Sequence, residues 1–268
     1  MRGLPCRCHH CKIQSTLRLT AIKELPSSIG HLKALKHLDL SCCKSLLNLL
    51  ESICNLSSLE TFEVLDCPKL ERLKVNLRGG LCSLGSLDLT CYILKQGVIW
   101  SNNCFSSLKT LNLQYNQMEG EILKHHICPL STLIELCIRN SRCMEKGILN
   151  GGFHLSSLEV LSIGDFNLME RGILSDTFHQ SSLETLSLHN CNLMEEGIPS
   201  DIWNLSSLVE LSLCNCNLPE GEILNHICHL SSLEELSLDG NYFSSIPLGI
   251  NWLSNLRVLN LSHCKNLL

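Results

Sequence analysis

The sequence predicts an α/β solenoid, a curved horseshoe of about eleven stacked repeats with a parallel sheet on its concave side and short helical or 3-10 turns on its convex side. Three observations predict it. Leu133, Leu158, Leu183, Leu208 and Leu233 recur at 25-residue intervals. Each opens the same nine-residue pattern, L-x-x-L-x-L-x-x-C/N. Within the pattern the fourth and sixth leucines, such as Leu211 and Leu213, alternate with polar residues, the period of a strand with one buried face.

The copies can be taken in order. A degenerate first one starts at Gln14 and supplies Leu17, Leu19 and Ile22; the next begin at Leu35, Leu59, Leu84 and Leu108, and the last at Leu256. Each copy is expected to contribute one short strand with its leucines turned inward. The ninth position reads Cys43, Cys67, Asn116, Cys191, Cys216, Asn241 and Cys264, with Tyr92, Ser141 and Phe166 as departures. Side chains there turn inward as the strand ends, and Asn or a thiol can serve as acceptor for a buried amide of a neighbouring repeat. A disulfide between Cys191 and Cys216 needs convergent Cβ vectors and is the less favoured reading.

Beyond the strands lies a second periodic segment, M-E-K-G-I-L at Met144, M-E-R-G-I-L at Met169, M-E-E-G-I-P at Met194 and P-E-G-E-I-L at Pro219, whose glycine permits the turn away from the sheet. Cys54, Cys128, Trp203 and Cys228 occupy one position of an I-x-x-L motif and are expected to pack on the convex side. Leucine offsets and a period in this range are the marks of leucine-rich repeats, whose function lies on a surface and not in a pocket. Residues 14–268 are expected to form that single domain, after an unstructured or mis-joined start at 1–13.

Composition narrows the classes of function. With 44% hydrophobic and 18% charged residues the chain is not disordered, and it holds no apolar run of membrane-spanning length. A net charge of -5 without a basic stripe argues against a nucleic-acid partner. The start, with Cys6, Cys8, His9, His10 and Cys11, has zinc ligands in sufficient number. They are crowded, however, where a structural site draws on two separated pairs, so no metal is expected. No Ser/His/Asp order, H-E-x-x-H or paired carboxylates stand out, and neither an enzyme nor a cofactor is expected.

Two stretches carry a closer resemblance. A-I-K-E-L-P-S-S-I-G-H-L-K-A-L-K-H-L-D-L-S-C-C-K-S-L, from Ala21 to Leu46, and F-S-S-I-P-L-G-I-N-W-L-S-N-L-R-V-L-N-L-S-H-C-K-N-L, from Phe243 to Leu267, resemble the leucine-rich-repeat region of plant nucleotide-binding immune receptors. The match is to the disease resistance proteins with an N-terminal Toll/interleukin-receptor-like domain. The resemblance implies a cytoplasmic module, with the nucleus as alternative, that recognises pathogen effectors or the host proteins they modify. It also implies packing against the receptor's other domains to hold them inactive. No G-x-x-x-x-G-K-[ST] loop occurs, so nucleotide binding is not carried over.

The binding residues are expected on the concave face, at outward positions of the strands: Arg18, His37, Asp39, Glu63, Asp88, Asn112, Gln114, Tyr115, Glu135, Arg139, His189, Glu210, Glu235 and Asp239. Cys137 and Ser162 are expected outward with them. Carboxylates outnumber cations there, which suits a basic partner surface, and Tyr115 is the aromatic anchor. The plainer reading of each is a solvated strand residue. Sequons at Asn55, Asn204 and Asn260 support the alternative of an extracellular ligand-binding fragment, although two of them belong to a recurring N-L-S-S-L linker. A third alternative is a truncated product without function of its own, because solenoid ends need polar caps.

Overall fold

The computed structural model describes residues 17–49, 51–70, 81–90, 105–115, 130–139, 156–165, 182–193, 200–218, 222–246 and 248–267. Ten strands follow one another in chain order: β1 His37–Asp39, β2 Thr61–Glu63, β3 Ser86–Asp88, β4 Thr110–Asn112, β5 Glu135–Arg139, β6 Val160–Gly164, β7 Thr185–His189, β8 Glu210–Cys214, β9 Glu235–Ser237 and β10 Val258–Asn260. They form one parallel sheet in the order β1 to β10. Identical repeat positions face one another throughout, as in Leu186 with Leu211 and Leu211 with Leu236. A parallel neighbour can be reached only by a crossover, and here each crossover is the rest of one repeat.

The alternation works as the leucine pattern requires. Leu208, Leu211 and Leu213 are at most 1% exposed, and their equivalents along the chain form one continuous core. Each such side chain contributes about 1.5–3 kcal/mol on burial, so the stack is held mainly by contact between successive repeats. On the convex side run 3-10 turns at Ser27–His31, Glu51–Asn55, Ser200–Asn204, Glu222–His229 and Leu248–Trp252. Ile53, Ile202, Ile227 and Ile250 dip from them into the core. Trp203 is buried there and Cys54 packs against the core, whereas Trp252, shifted one place along the motif, is 77% exposed.

The first copy departs from the expected register. No strand forms over its described residues, and Leu19 is 72% exposed with φ 62°. Its amide donates to Ser41 O just as the Cys42 amide donates to Leu65 O, which makes Leu19 an eighth residue like Cys42. Leu17 is therefore the sixth residue and Thr20 the ninth, two places from the reading that started at Gln14. A slip of two preserves inside and outside along a strand, which is why both registers look equally amphipathic. Residues 1–13, the glycines of the M-E-x-G segments, Cys128 and the ninth residues Tyr92, Asn116, Ser141 and Phe166 lie outside the described residues.

At the ninth position the thiols act mainly as donors, opposite to the acceptor role expected of them. Cys43 Sγ donates to Leu17 O, Cys67 to Leu40 O, Cys216 to Leu188 O and Cys264 to Leu238 O, each the sixth-residue carbonyl of the preceding repeat, at 3.2–3.3 Å. Asn241 does both jobs: Nδ2 donates to Leu213 O and Leu238 O, while Oδ1 accepts from the amides of Cys216 and Leu218. No disulfide joins Cys191 and Cys216. Burial pushes the Cys67 thiol up to about 11, and the Cys216 thiol is raised by its hydrogen bond with Cys191 and by burial.

Candidate binding face

Three columns of side chains cross the concave sheet, from the third, fifth and seventh residues of each repeat. Strand register places them side by side at about 4.8 Å. The fifth-residue column begins Asp39, Glu63, Asp88, Asn112 and continues Cys137, Ser162, Ser187, Ser212, Ser237. The third-residue column places His37, Glu135, Glu210 and Glu235 at the opposite end of the strands from the seventh-residue column of Gln114, Arg139, His189 and Asp239.

The carboxylates of β1 to β3 crowd one another. Glu63 is held above the usual carboxylate range by burial and then by the neighbouring charges of Asp39 and Asp88, with Arg18 and His37 acting the other way. Asp88 is raised by burial and Asp39, against hydrogen bonds from Thr90 N at 2.9 Å, Thr90 Oγ1 at 2.6 Å and Asn112 Nδ2 at 3.0 Å. Glu135 is raised by burial and Asp88. Fifth-residue side chains also fix the strand exit. Asp39 Oδ1 accepts the Ser41 amide, Asp88 that of Thr90, Asn112 that of Gln114 and Asn260 that of Ser262. His37 Nδ1 meets Thr61 Oγ1 at 2.8 Å.

Past β4 the character of the face changes. Arg139 Nε donates to Ser162 Oγ at 2.8 Å and its Nη2 reaches Ser187 Oγ, two strands away, at 3.0 Å. Gly164 makes the crossing practicable, because a Cβ there would stand 3.0 Å from Arg139 Cγ and 3.2 Å from His189 O. His189 is held below the usual histidine range by burial and by the Arg139 charge, against Asp165 and Asp239. Cys214 Sγ lies between the hydroxyls of Ser212 and Ser237, and Asp239 Oδ1 meets His263 Nδ1 at 2.7 Å.

Most residues expected on this face are on it, with corrections. Cys137 and Ser162 stand in the fifth-residue column but are buried, at 2% and 3% exposure. Gln114 Nε2 lies on the Cys137 thiol and Arg139 on the Ser162 hydroxyl. Arg18 is a seventh residue beside β1 and not part of a strand, although its charge still acts on Glu63. Tyr115 is an eighth residue on the rim, with φ 59° and 52% exposure, its amide bonded to Arg139 O. Tyr242, exposed to the same degree on a later loop, is a second aromatic near the sheet. Gly164 and His263 went unrecognised; the signal for Gly164 was a residue without a side chain in an otherwise polar seventh-residue column.

The family model for the Leucine Rich Repeat matches three consecutive segments, 182–205, 207–230 and 232–253. No curated protein matches the chain. Among solved structures, the internalin InlF of Listeria monocytogenes is similar at a TM-score of 0.58 and 20% identity, over 88% of this chain and 70% of that one. A leucine-rich-repeat protein of Leptospira interrogans gives 0.50 and 24%, over 90% and 70%. The ectodomain of the Arabidopsis thaliana membrane receptor kinase GASSHO1/SCHENGEN3, in complex with Casparian strip integrity factor 2, gives 0.51 and 21%, over 89% of this chain and 31% of that one. At these identities the likeness concerns the fold. Parallel strands in chain order, 3-10 crossovers and the matched repeats together make this chain a leucine-rich-repeat solenoid.

Proposed function

We propose that the chain is a protein-recognition module of plant innate immunity, working in the cytoplasm or nucleus as the sensing and autoinhibitory region of a disease resistance protein. The concave face supports the recognition role: three registered columns of side chains across ten strands present polar groups that the core does not need. The stretches from Ala21 to Leu46 and from Phe243 to Leu267 support the immune setting by their resemblance to such receptors. The GASSHO1/SCHENGEN3 structure, solved with a factor bound, makes a peptide or protein ligand the class to test. The partner would be a pathogen effector, a guarded host protein or the other domains of the same receptor.

The experiment is co-precipitation of the chain with nucleotide-binding domains of such receptors and with candidate effectors, each repeated with Glu210→Arg and Glu235→Arg. Binding that both substitutions abolish is the expected result. Binding indifferent to every concave substitution would remove the face from the mechanism. A second reading, an extracellular ligand-binding fragment, draws on the exposed sequon residues Asn55 and Asn204 in convex turns. A mass shift on glycosidase treatment of the plant-expressed protein would favour it and exclude the cytoplasmic setting.

A further inference from the structure

The concave face is divided along its curve, and the division specifies a ligand pattern. At one side the carboxylates of Asp39, Glu63 and Asp88 are Cα partners on successive strands, so three negative charges are stacked in register. Their flanking neighbours on the strands are His37, Thr61 and Ser86 in the third-residue column and Ser41, Leu65 and Thr90 in the seventh. Neither column places a lysine or arginine of β1 to β3 among them; the charge of Arg18, a seventh residue one repeat earlier, acts on Glu63 without offsetting its burial and its like-charged neighbours. At the other side, Arg139 lies over the hydroxyls of Ser162 and Ser187, across the space left by Gly164. The positive guanidinium, with the Ser187 hydroxyl beside it and the buried Ser162 hydroxyl beneath it, faces the same concavity as the acidic stack.

Resting on the recognition role proposed above, we infer that the concave face takes an extended protein segment running across the strands, with lysine or arginine over Asp39, Glu63 and Asp88 and a carboxylate side chain at Arg139. Charge complementarity selects this occupant over an apolar or uniformly basic one. Geometry sets the spacing. From Glu63 on β2 to the Arg139 guanidinium, which lies over Ser162 on β6 and Ser187 on β7, are four to five strand steps, about 19–24 Å at the usual strand separation, and an extended segment covers that in about six or seven residues. Two cationic residues two places apart span about 7 Å and so reach two of the three stacked carboxylates. Burial and, after it, like-charge crowding already raise Glu63 and Asp88, and an incoming ammonium or guanidinium relieves the crowding.

The test is selection of a displayed library of random twelve-residue peptides on the full chain, followed by affinity measurement on three variants. The expected winners carry a Lys/Arg pair with Asp or Glu about six or seven residues away. Their affinity should fall at least tenfold on Asp39→Asn/Glu63→Gln/Asp88→Asn, and likewise on the single Glu63→Lys. On Arg139→Gln, replacing the peptide's acidic residue by its amide should no longer matter. Winners without cationic bias, or unmoved by the triple substitution while each variant still melts cooperatively, overturn the inference. If such winners are lost on Glu210→Arg or Glu235→Arg, the face binds protein but not in this way. If nothing is selected, or no concave substitution matters, the recognition role falls as well.

Discussion

The amide of Cys216 donates to the side-chain oxygen of Asn241, the residue one repeat further on, at 3.1 Å, and the same oxygen takes the Leu218 amide at 3.2 Å. Asn241 is wholly buried. Asn241→Ala would strand two amides and two carbonyls, at about 1–3 kcal/mol for each group left unpaired in the interior. The Cys216 thiol makes weaker bonds to Leu188 O and Cys214 O. Urea unfolding should therefore show a much larger loss for Asn241→Ala than for Cys216→Ala; equal losses would mean that the ladder is packing alone.

Leu211 and Glu210 are sequence neighbours on opposite faces of β8, one fully buried and one exposed. Leu211→Asp buries a charge among apolar groups and should cost about 4 kcal/mol or more, whereas Glu210→Ala should stay within about 0.5 kcal/mol of the parent. Thermal melting of both variants reads this directly.

Gly240 has φ 72°, and a Cβ there would stand within bonding distance of the Asn215 side-chain oxygen. Gly240→Ala combines left-handed backbone strain with displacement of Asn215, for a loss of about 1–3 kcal/mol. Asn215→Ala alone removes the obstruction without adding the strain. The double variant should thus recover part of the loss, measured as a non-additive unfolding cycle.

Because burial and like charges raise the folded-state pKa of Glu63, its protonated form is the better accommodated one. The sign follows from linkage: its contribution is fully present below the ordinary glutamate range and is lost as pH rises through the raised value. Glu63→Gln should accordingly melt higher than the parent at pH 7, with the gap closing as pH falls toward 4. A lower midpoint at pH 7 would show that the carboxylate is held by favourable partners.

Thiol reactivity should divide by position. Cys82 is exposed, whereas Cys43, Cys67, Cys191 and Cys216 are buried, and Cys67 and Cys216 are also poorly ionised. Iodoacetamide at pH 8 should label Cys82 within the time that leaves those four untouched until denaturant is added. Peptide mass mapping distinguishes them.

The leucine period was enough to read the parallel sheet, its inward columns and the convex turns. A fixed offset between copies dictates which residues become Cα partners, as with Leu186, Leu211 and Leu236. The first copy was misread because Leu17 and Leu19 are both leucines two apart, and hydrophobicity does not distinguish registers of the same parity. Cover by a neighbour was also invisible. Cys137 and Ser162 look outward from their own strands, but the side chains that bury them come from Gln114 and Arg139. Donor and acceptor roles in the ninth-residue ladder depend on which carbonyl the previous repeat offers, a property of two repeats together.

Third-residue positions such as Glu210 and Glu235 make few demands on the core beneath them, whereas the leucines and the ninth residues make up nearly all of it. Recognition is thereby separated from folding at the level of single codons. A lineage can exchange one such exposed side chain and test a new target while the scaffold's stability is left almost untouched. The stacked repeat acts as a rack of interchangeable letters, and changing the text does not require rebuilding the press.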